Sequence, residues 1–449
     1  MAELLSVGLD VGTTSTQLIV SRLTVNNRSS AFAVPEMEIE NREILYRSPV
    51  HFTPLLEENL VDGDKIRQLV EQEYQNASIS RSQVDTGAVI ITGETSRKEN
   101  ARAVLSALSE FAGDFVVATA GPALESVLAA RGAGAVAYSA QTGKTVFHMD
   151  IGGGTANLAL IENGKIICTD CLNVGGRLIK IKSGKISYIS PVLQDICPLK
   201  IGDSADLDAL EKVAQTLTHA LEMAAGLQAS TDLLARLRTA ELGVHPGCTV
   251  QNAVISFSGG VADCIDTVRE PFEFGDIGPL LGQCIRKSRL CQGQYRLGTE
   301  TIRATVIGAG CHSAQLSGST VFLQNIPLPL KNCPVLAFEN HHLTAESIRQ
   351  KLATQENVPV IAFPGEIAPD YGMVKTLAGI LAQVLPSPIL IGVETDMAKA
   401  LGQAIALLRP GDGILCIDRV RLKDGDFLDI GSPVGPALPV VVKTLILEK

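Results

Sequence analysis

The chain has 449 residues, 46% of them hydrophobic and 19% charged, with no Trp and only 4% aromatic side chains. That composition excludes a disordered chain and points to two to four domains whose cores are built from Ala, Val, Ile and Leu. The formal net charge of −10 argues against DNA or RNA as the main partner, because phosphate backbones are gripped by basic surface.

The opening MAELLSVGLD has no basic start and no long apolar run, so no signal peptide is expected, and the longest apolar stretches are strand-length and broken by Gly or charge, so no membrane span is expected. From there, short β-branched runs recur in order: LLSVGLDVG, GAVIITG, DFVVAT, KTVFHMDIG, NLALIENGKIICT, NAVISFSGG, ATVIGAG, VPVIAF, PILIGVE, GILCID and PVVVKTLIL. Helical periodicity lies between them, which predicts an α/β fold throughout. One helix is expected over 62–76, with Ile66, Leu69, Val70 and Tyr74 on one face behind Asp62 and Asp64. Another is expected over 207–224, with Leu210, Val213, Leu217 and Leu221 aligned.

The first run carries chemistry. Residues 6–20 read SVGLDVGTTSTQLIV. The strand delivers Asp10 to its end, and Gly12 permits a tight turn. Thr13, Thr14 and Ser15 then offer N–H groups and hydroxyls to an anion. The chain returns as a strand, so this is a β-hairpin phosphate loop, unlike the strand–helix P-loop. A second copy follows at 146–160, VFHMDIGGGTANLAL. Asp150 takes the place of Asp10, Gly152, Gly153 and Gly154 form the turn, and Thr155 adds a hydroxyl. One such hairpin could be merely a Gly-rich turn. Two, with their aspartates 140 residues apart in sequence, predict two similar lobes facing each other across a cleft. In that cleft Asp10 and Asp150 can hold a hydrated Mg²⁺. A third element, VISFSGGVA at 254–262, ends a strand at Gly259 and Gly260 and opens a helix, a setting that suits a sugar or α-phosphate.

In this order the motifs resemble the phosphate-1, phosphate-2 and adenosine motifs of the actin/Hsp70/sugar-kinase superfamily. GPALESVLAARGAG at 121–134 and TVIGAGCHSA at 305–314 resemble its two interdomain helices, and NVGGRLI at 173–179 resembles the Gly-Gly segment that follows phosphate 2. The resemblance implies ATP and Mg²⁺ as cofactors and Gly175 and Gly176 as further nucleotide contacts. Glu125 would be the residue that orients the attacking water. It also implies a two-lobed actin-like ATPase with duplicated ribonuclease-H-like lobes, at 1–145 and 146–316, followed by a C-terminal α/β unit at 317–449. The outer part of the second lobe should be small, around 180–250. Two departures matter: Hsp70 has an Asp where this chain has Asn157, and no counterpart of its catalytic lysine stands out. Both put rapid hydrolysis, though not nucleotide binding, in question.

Within the superfamily, the chain resembles the ethanolamine ammonia-lyase reactivase family from end to end. LLSVGLDVGTTSTQLI, ITGETSRKENA at 91–101, HMDIGGGTANLALIENG at 148–164 and ETDMAKALGQAI at 394–405 carry that resemblance. It implies a chaperone-like partner of ethanolamine ammonia-lyase that uses ATP and Mg²⁺ to release damaged cobalamin so that intact adenosylcobalamin can bind. It further implies a cytoplasmic setting, with microcompartment association as the finer expectation; homo-oligomerisation stays open. The rival readings are a small-molecule kinase of the same fold, an activator of another radical enzyme such as a 2-hydroxyacyl-CoA dehydratase, and a filament protein. A kinase would need a substrate base and sugar-binding residues, of which no set stands out. The dehydratase activator would need a cluster cysteine, but the context TDCLNVGGR around Cys171 does not match.

Other residues carry plainer expectations. Cys168 and Cys171 have C-x-x-C spacing but no second pair, so they read as incidental cysteines in a hairpin. His148 reads as a core histidine, His341 and His342 as solvated, and Glu94 and Thr95 as helix-capping. Residues 317–449 predict strands at 358–363, 388–394 and 413–418 with helices at 370–385 and 396–408, the second capped by Asp396 and left through a turn at Gly411–Gly413. They lack the residue types of a catalytic site. They either complete the packing or engage the lyase or a second copy of the chain.

Overall fold

The structure is a computed structural model that describes residues 2–12, 15–27, 37–57, 60–92, 116–119, 122–239, 253–312, 314–317, 320–339, 343–353, 358–366, 369–424, 426–431, 433 and 438–444. Thr13, Thr14, Glu94, Thr95, His341 and His342 lie outside the described residues.

Two sheets repeat one plan. In the first, the strands lie in the order Met37–Arg47, Ser15–Asn27, Ala2–Val11, Thr86–Ile91, Val116–Thr119. In the second, the order is Lys165–Leu172, Ala156–Glu162, Val146–Ile151, Val254–Ser258, Tyr295–Leu297. Each begins with an antiparallel meander and continues from its first strand into two parallel strands. The registers match as well. Asp10 pairs with Gln17, and Asp150 with Asn157. This is the duplicated two-lobed architecture that the paired motifs predict. Every residue of Val146–Ile151 is buried, as befits a central strand covered on both faces.

The amphipathic helices follow their predicted faces. Helix Gly63–Asn76 starts where the Asp62 side chain accepts the Lys65 N–H at 3.0 Å, an ordinary N-cap. Ile66, Val70 and Tyr74 are buried, whereas Leu69 is only half-buried. Leu207–Ala224 buries Leu210, Val213, Leu217 and Leu221. With the hairpin Ile179–Lys182 and Lys185–Ile189 and the short helix Asp232–Leu237, it forms the outer part of the second lobe.

Two further helices cross between the sheets. Pro122–Gly132 follows the first sheet in sequence but packs on the strands of the second, and Ala304–His312 follows the second but packs on the first. They also pack on each other. A Cβ on Gly132 would lie 1.8 Å from the Ala304 carbonyl oxygen, and one on Gly308 would lie 2.0 Å from that of Leu128. No side chain but hydrogen fits at either place.

The last third builds an eight-stranded mixed sheet. Its centre is parallel, Leu330–Ala337, Val360–Phe363, Ile389–Val393 and Ile414–Ile417, interleaved with helices Ala345–Leu352, Tyr371–Val384 and Ala398–Leu408. At its edge, Ala314–Leu316 pairs with the strand Pro439–Thr444. Asp396 does not cap the third helix as expected. That helix begins after Met397 without a side-chain cap, and Asp396 accepts a hydrogen bond from the Thr320 hydroxyl at 2.7 Å. Among the described residues, no helix is long and apolar enough to cross a membrane.

Candidate functional site

Both hairpins turn in the same way. The Gly12 N–H donates to the Ser15 carbonyl at 2.9 Å, and the Gly152 N–H to the Thr155 carbonyl at 2.9 Å. The two turns open into one cavity of about 440 Å³ between the lobes. Of the sequence-predicted residues, it brings together Asp10, Gly12, Ser15, Glu125, Asp150, Gly152, Gly153, Gly154, Thr155, Gly176, Gly259 and Gly260. Gly175 is not on the wall. It lies behind the second turn, where a Cβ would stand 2.4 Å from the Gly153 carbonyl oxygen.

The glycines divide by task. Gly259 has φ +86° and would drive a Cβ to 2.3 Å from the Ile151 oxygen, so both conformation and packing demand glycine. A Cβ on Gly154 would meet nothing within 4 Å, and one on Gly153 only the Arg177 side chain at 3.5 Å. At these two positions the missing side chain leaves open space in the cavity. The Gly-Gly segment runs alongside: the Gly176 N–H donates to the Gly152 carbonyl at 3.0 Å and the Arg177 N–H to the Gly153 carbonyl at 2.7 Å. Those donors brace the turn and do not face a ligand.

Three carboxylates meet here in different surroundings. Asp10 accepts the Thr92 hydroxyl at 2.8 Å. Burial nevertheless pushes its pKa up to about 8, with Glu125 and Asp150 adding repulsion. Asp150 is raised to about 6 by burial, while hydroxyls of Ser258 and Thr305 hold it lower. Glu125, in the first turn of its crossing helix, accepts the Asn157 amide at 3.0 Å. Asn157 thus has a structural reason: an Asp there would set a second carboxylate against Glu125.

His148 is buried, as expected of a core residue, and it is also wired to the site. Its Nδ1 lies 3.1 Å from Ser256 Oγ and its Nε2 3.0 Å from Ser258 Oγ. The Ser258 hydroxyl in turn bonds Asp150. Burial, helped by the Arg296 charge, lowers the His148 pKa to about 3, so the ring is neutral. With Asp150 ionised, Ser258 donates to it and must accept from Nε2–H; Nδ1 then accepts from Ser256.

Among the described residues, no three His, Cys, Asp or Glu side chains stand close enough to cage a metal directly. Two buried acceptors on the cavity wall, Gln17 Oε1 and Asn157 Oδ1, have no partner among the described residues. Together with Asp10 and Asp150 they make a set of oxygens suited to the water shell of a hard cation. Cys168 and Cys171 stand three apart on one strand, on opposite faces, and take no part.

Sequence reasoning missed Thr92, Ser258, Gln17 and Arg177. Ser258 and Arg177 immediately adjoin predicted glycines. Thr92 was visible only as a strand end, and Gln17 only as an ordinary strand residue.

The family model for ethanolamine utilisation protein EutA matches residues 2–448. The chain belongs to this family. Two EutA proteins named ethanolamine ammonia-lyase reactivase align along nearly all of it. That of Salmonella typhimurium is 38% identical over 471 residues, covering 99% of this chain and 98% of its own. That of Escherichia coli is 39% identical over 464 residues, with the same coverage. Among solved structures, a Ppx/GppA family member from Aquifex aeolicus covers 68% of this chain and 97% of its own, at 12% identity and a TM-score of 0.43.

Proposed function

We propose that this EutA family member is an ATP-dependent reactivase of ethanolamine ammonia-lyase, working in the cytoplasm at or beside a bacterial microcompartment. The observation that carries it is the meeting of two matched aspartate hairpins in one cavity, in a chain that aligns end to end with two proteins named as reactivases. The hairpin turns receive the β- and γ-phosphates from opposite lobes, with the Gly259–Gly260 turn beneath the α-phosphate or sugar. Asp10 and Asp150, with Gln17 and Asn157, would hold the waters around Mg²⁺, which supplies charge neutralisation for phosphoryl transfer. Glu125, fixed by Asn157, orients the attacking water. Thr92 and Ser258 hold the two aspartates in position.

Hydrolysis is weak in this reading, because no lysine among the described residues lines the cavity. The work lies in the lobes. A cleft closed on ATP and relaxed on ADP is a two-state element, and a partner that binds the two states unequally is remodelled as the cleft cycles. That cycle loosens the lyase so that damaged cobalamin leaves and intact adenosylcobalamin enters.

The test uses ethanolamine ammonia-lyase inactivated with a cobalamin that lacks its adenosyl group. This protein, ATP, Mg²⁺ and free adenosylcobalamin together restore lyase activity, and omission of any one prevents it. Recovery without this protein, or none with all four present, would overturn the reading.

A further inference from the structure

The cavity is acidic. Among the described residues, Asp10, Glu125, Asp150, Asp263 and Asp276 line it, against two guanidinium groups, Arg177 and Arg269. A polyphosphate entering such a space needs a protein cation within reach, because like charges repel more strongly in a half-buried cleft than in water. Arg269 is engaged with its own segment: it bonds Glu273 at 2.9 Å and lies over the Phe274 ring at 5.3 Å.

Arg177 is placed differently. Its main chain is bonded to the second turn at Gly153, and its stem is what a side chain on Gly153 would touch. Its guanidinium therefore departs from beside the phosphate-2 turn. Nε pairs with Asp276 at 3.1 Å, and Cζ lies 5.6 Å from the centre of the Phe52 ring. Phe52 belongs to the opposite lobe and is 78% exposed. One side chain thus joins the second turn, Asp276 and the far rim of the cleft.

The cation–π contact on an exposed ring contributes little and is readily exchanged; the ion pair with the buried Asp276 is made through Nε, so exchanging the ring for a phosphate does not require breaking it. A bidentate bond from arginine to phosphate is far stronger. Asp276 is held from two sides, since its other oxygen keeps the Gly278 N–H at 2.8 Å.

We propose that Arg177 is an exchangeable cation: it ties the lobes through Phe52 when the cleft holds no nucleotide, and transfers to a phosphate oxygen at Gly153–Gly154 when nucleotide binds. Binding then releases one link across the cleft as it makes another. The proposal rests on the nucleotide reading above and adds to it a named phosphate contact and a resting latch.

Calorimetry on the full chain with MgATP and, separately, adenosine tests it. Arg177→Gln should weaken MgATP by ~30-fold or more, with adenosine unchanged and Arg177→Lys recovering part of the loss. Phe52→Ala, at an exposed ring, should tighten MgATP by ~3-fold because the resting contact no longer competes. MgATP affinity unchanged in Arg177→Gln overturns the proposal. So do equal losses for adenosine and MgATP in both Arg177 variants, the mark of a purely structural role. Should Arg177→Gln not fold, unchanged MgATP affinity in Phe52→Ala overturns the latch. If the parent chain binds adenosine but gains nothing from the phosphates, the contact at Gly153–Gly154 is wrong; if it binds neither ligand, the nucleotide reading falls and takes this proposal with it.

Discussion

Asp10 and Asp150 occupy the same place in two copies of one hairpin. The turns close with the same bond, and each aspartate lies opposite an amide, Gln17 or Asn157. Their acidities nevertheless differ, with Asp10 raised to about 8 and Asp150 only to about 6. The difference comes from outside the hairpins. Among the described residues, Asp10 has one hydroxyl, from Thr92 at the end of the neighbouring parallel strand, and repulsion from two carboxylates. Asp150 has Ser258 from the corresponding strand and Thr305 from a crossing helix. Duplication sets the geometry of such a site, while the adjoining elements set the charge state of each half.

The comparison can be broken first through activity. Asp10→Asn and Asp150→Asn should each lower ATP hydrolysis by ~100-fold or more, read as phosphate release. Full activity in Asp10→Asn would remove it from the site. Full activity in Glu125→Ala would likewise end its assignment to the attacking water.

Stability should separate the two aspartates. An acid whose folded pKa is raised contributes stability below its unfolded value of 3.8 and loses it as pH rises through the folded value. For Asp10 that window runs from 3.8 to about 8, and for Asp150 from 3.8 to about 6. Asp10→Asn should therefore stabilise the nucleotide-free protein by ~2 kcal/mol at pH 7, Asp150→Asn by less, and neither at pH 4. Denaturant unfolding at the two pH values measures this. A destabilised Asp10→Asn at pH 7 would contradict the burial argument.

Asn157→Asp tests the amide side of the frame. It replaces the donor to Glu125 with a second buried carboxylate, which should cost ~1–3 kcal/mol at pH 7, less at pH 4. An unchanged unfolding midpoint would show that Glu125 does not need that bond. The smallest effect is expected from Ser258→Ala, which removes a hydroxyl that favours the charged form of Asp150. The pKa of Asp150, followed by carboxyl NMR, should move upward. A downward shift would reverse the assigned role of Ser258.

The parts of the site legible in the sequence are those written within one hairpin. Asp10, Gly12, Asp150 and Gly152 are recognisable because a strand, a tight turn and a returning strand all fall within a few residues. Thr92 and Ser258 are not, because parallel pairing brings them from 82 and 108 residues away. Asp396 shows the opposite failure. Its position before a helix reads as a cap, but Thr320, 76 residues earlier, takes its carboxylate. The resemblance of NVGGRLI implies Gly175 as a ligand contact, yet its missing side chain serves contact between two main-chain segments. Fold class was more legible than any of these. Strand order follows from alternating runs and connection lengths, whereas hydrogen-bond partners follow from register.

The crossing helices have a mechanical consequence. At Gly132 and Gly308 main chain rests on main chain, with the small side chains of Ala129, Ala133 and Ala304 packed beside the contact. Such a contact resists being pulled apart or pushed closer, yet offers little resistance to turning, like a rivet through two blades. Each helix is seated on the sheet of the opposite lobe, so a rotation at that crossing would carry a change of a few ångströms at the phosphates into a larger sweep at the outer edges, in proportion to their distance from the rivet.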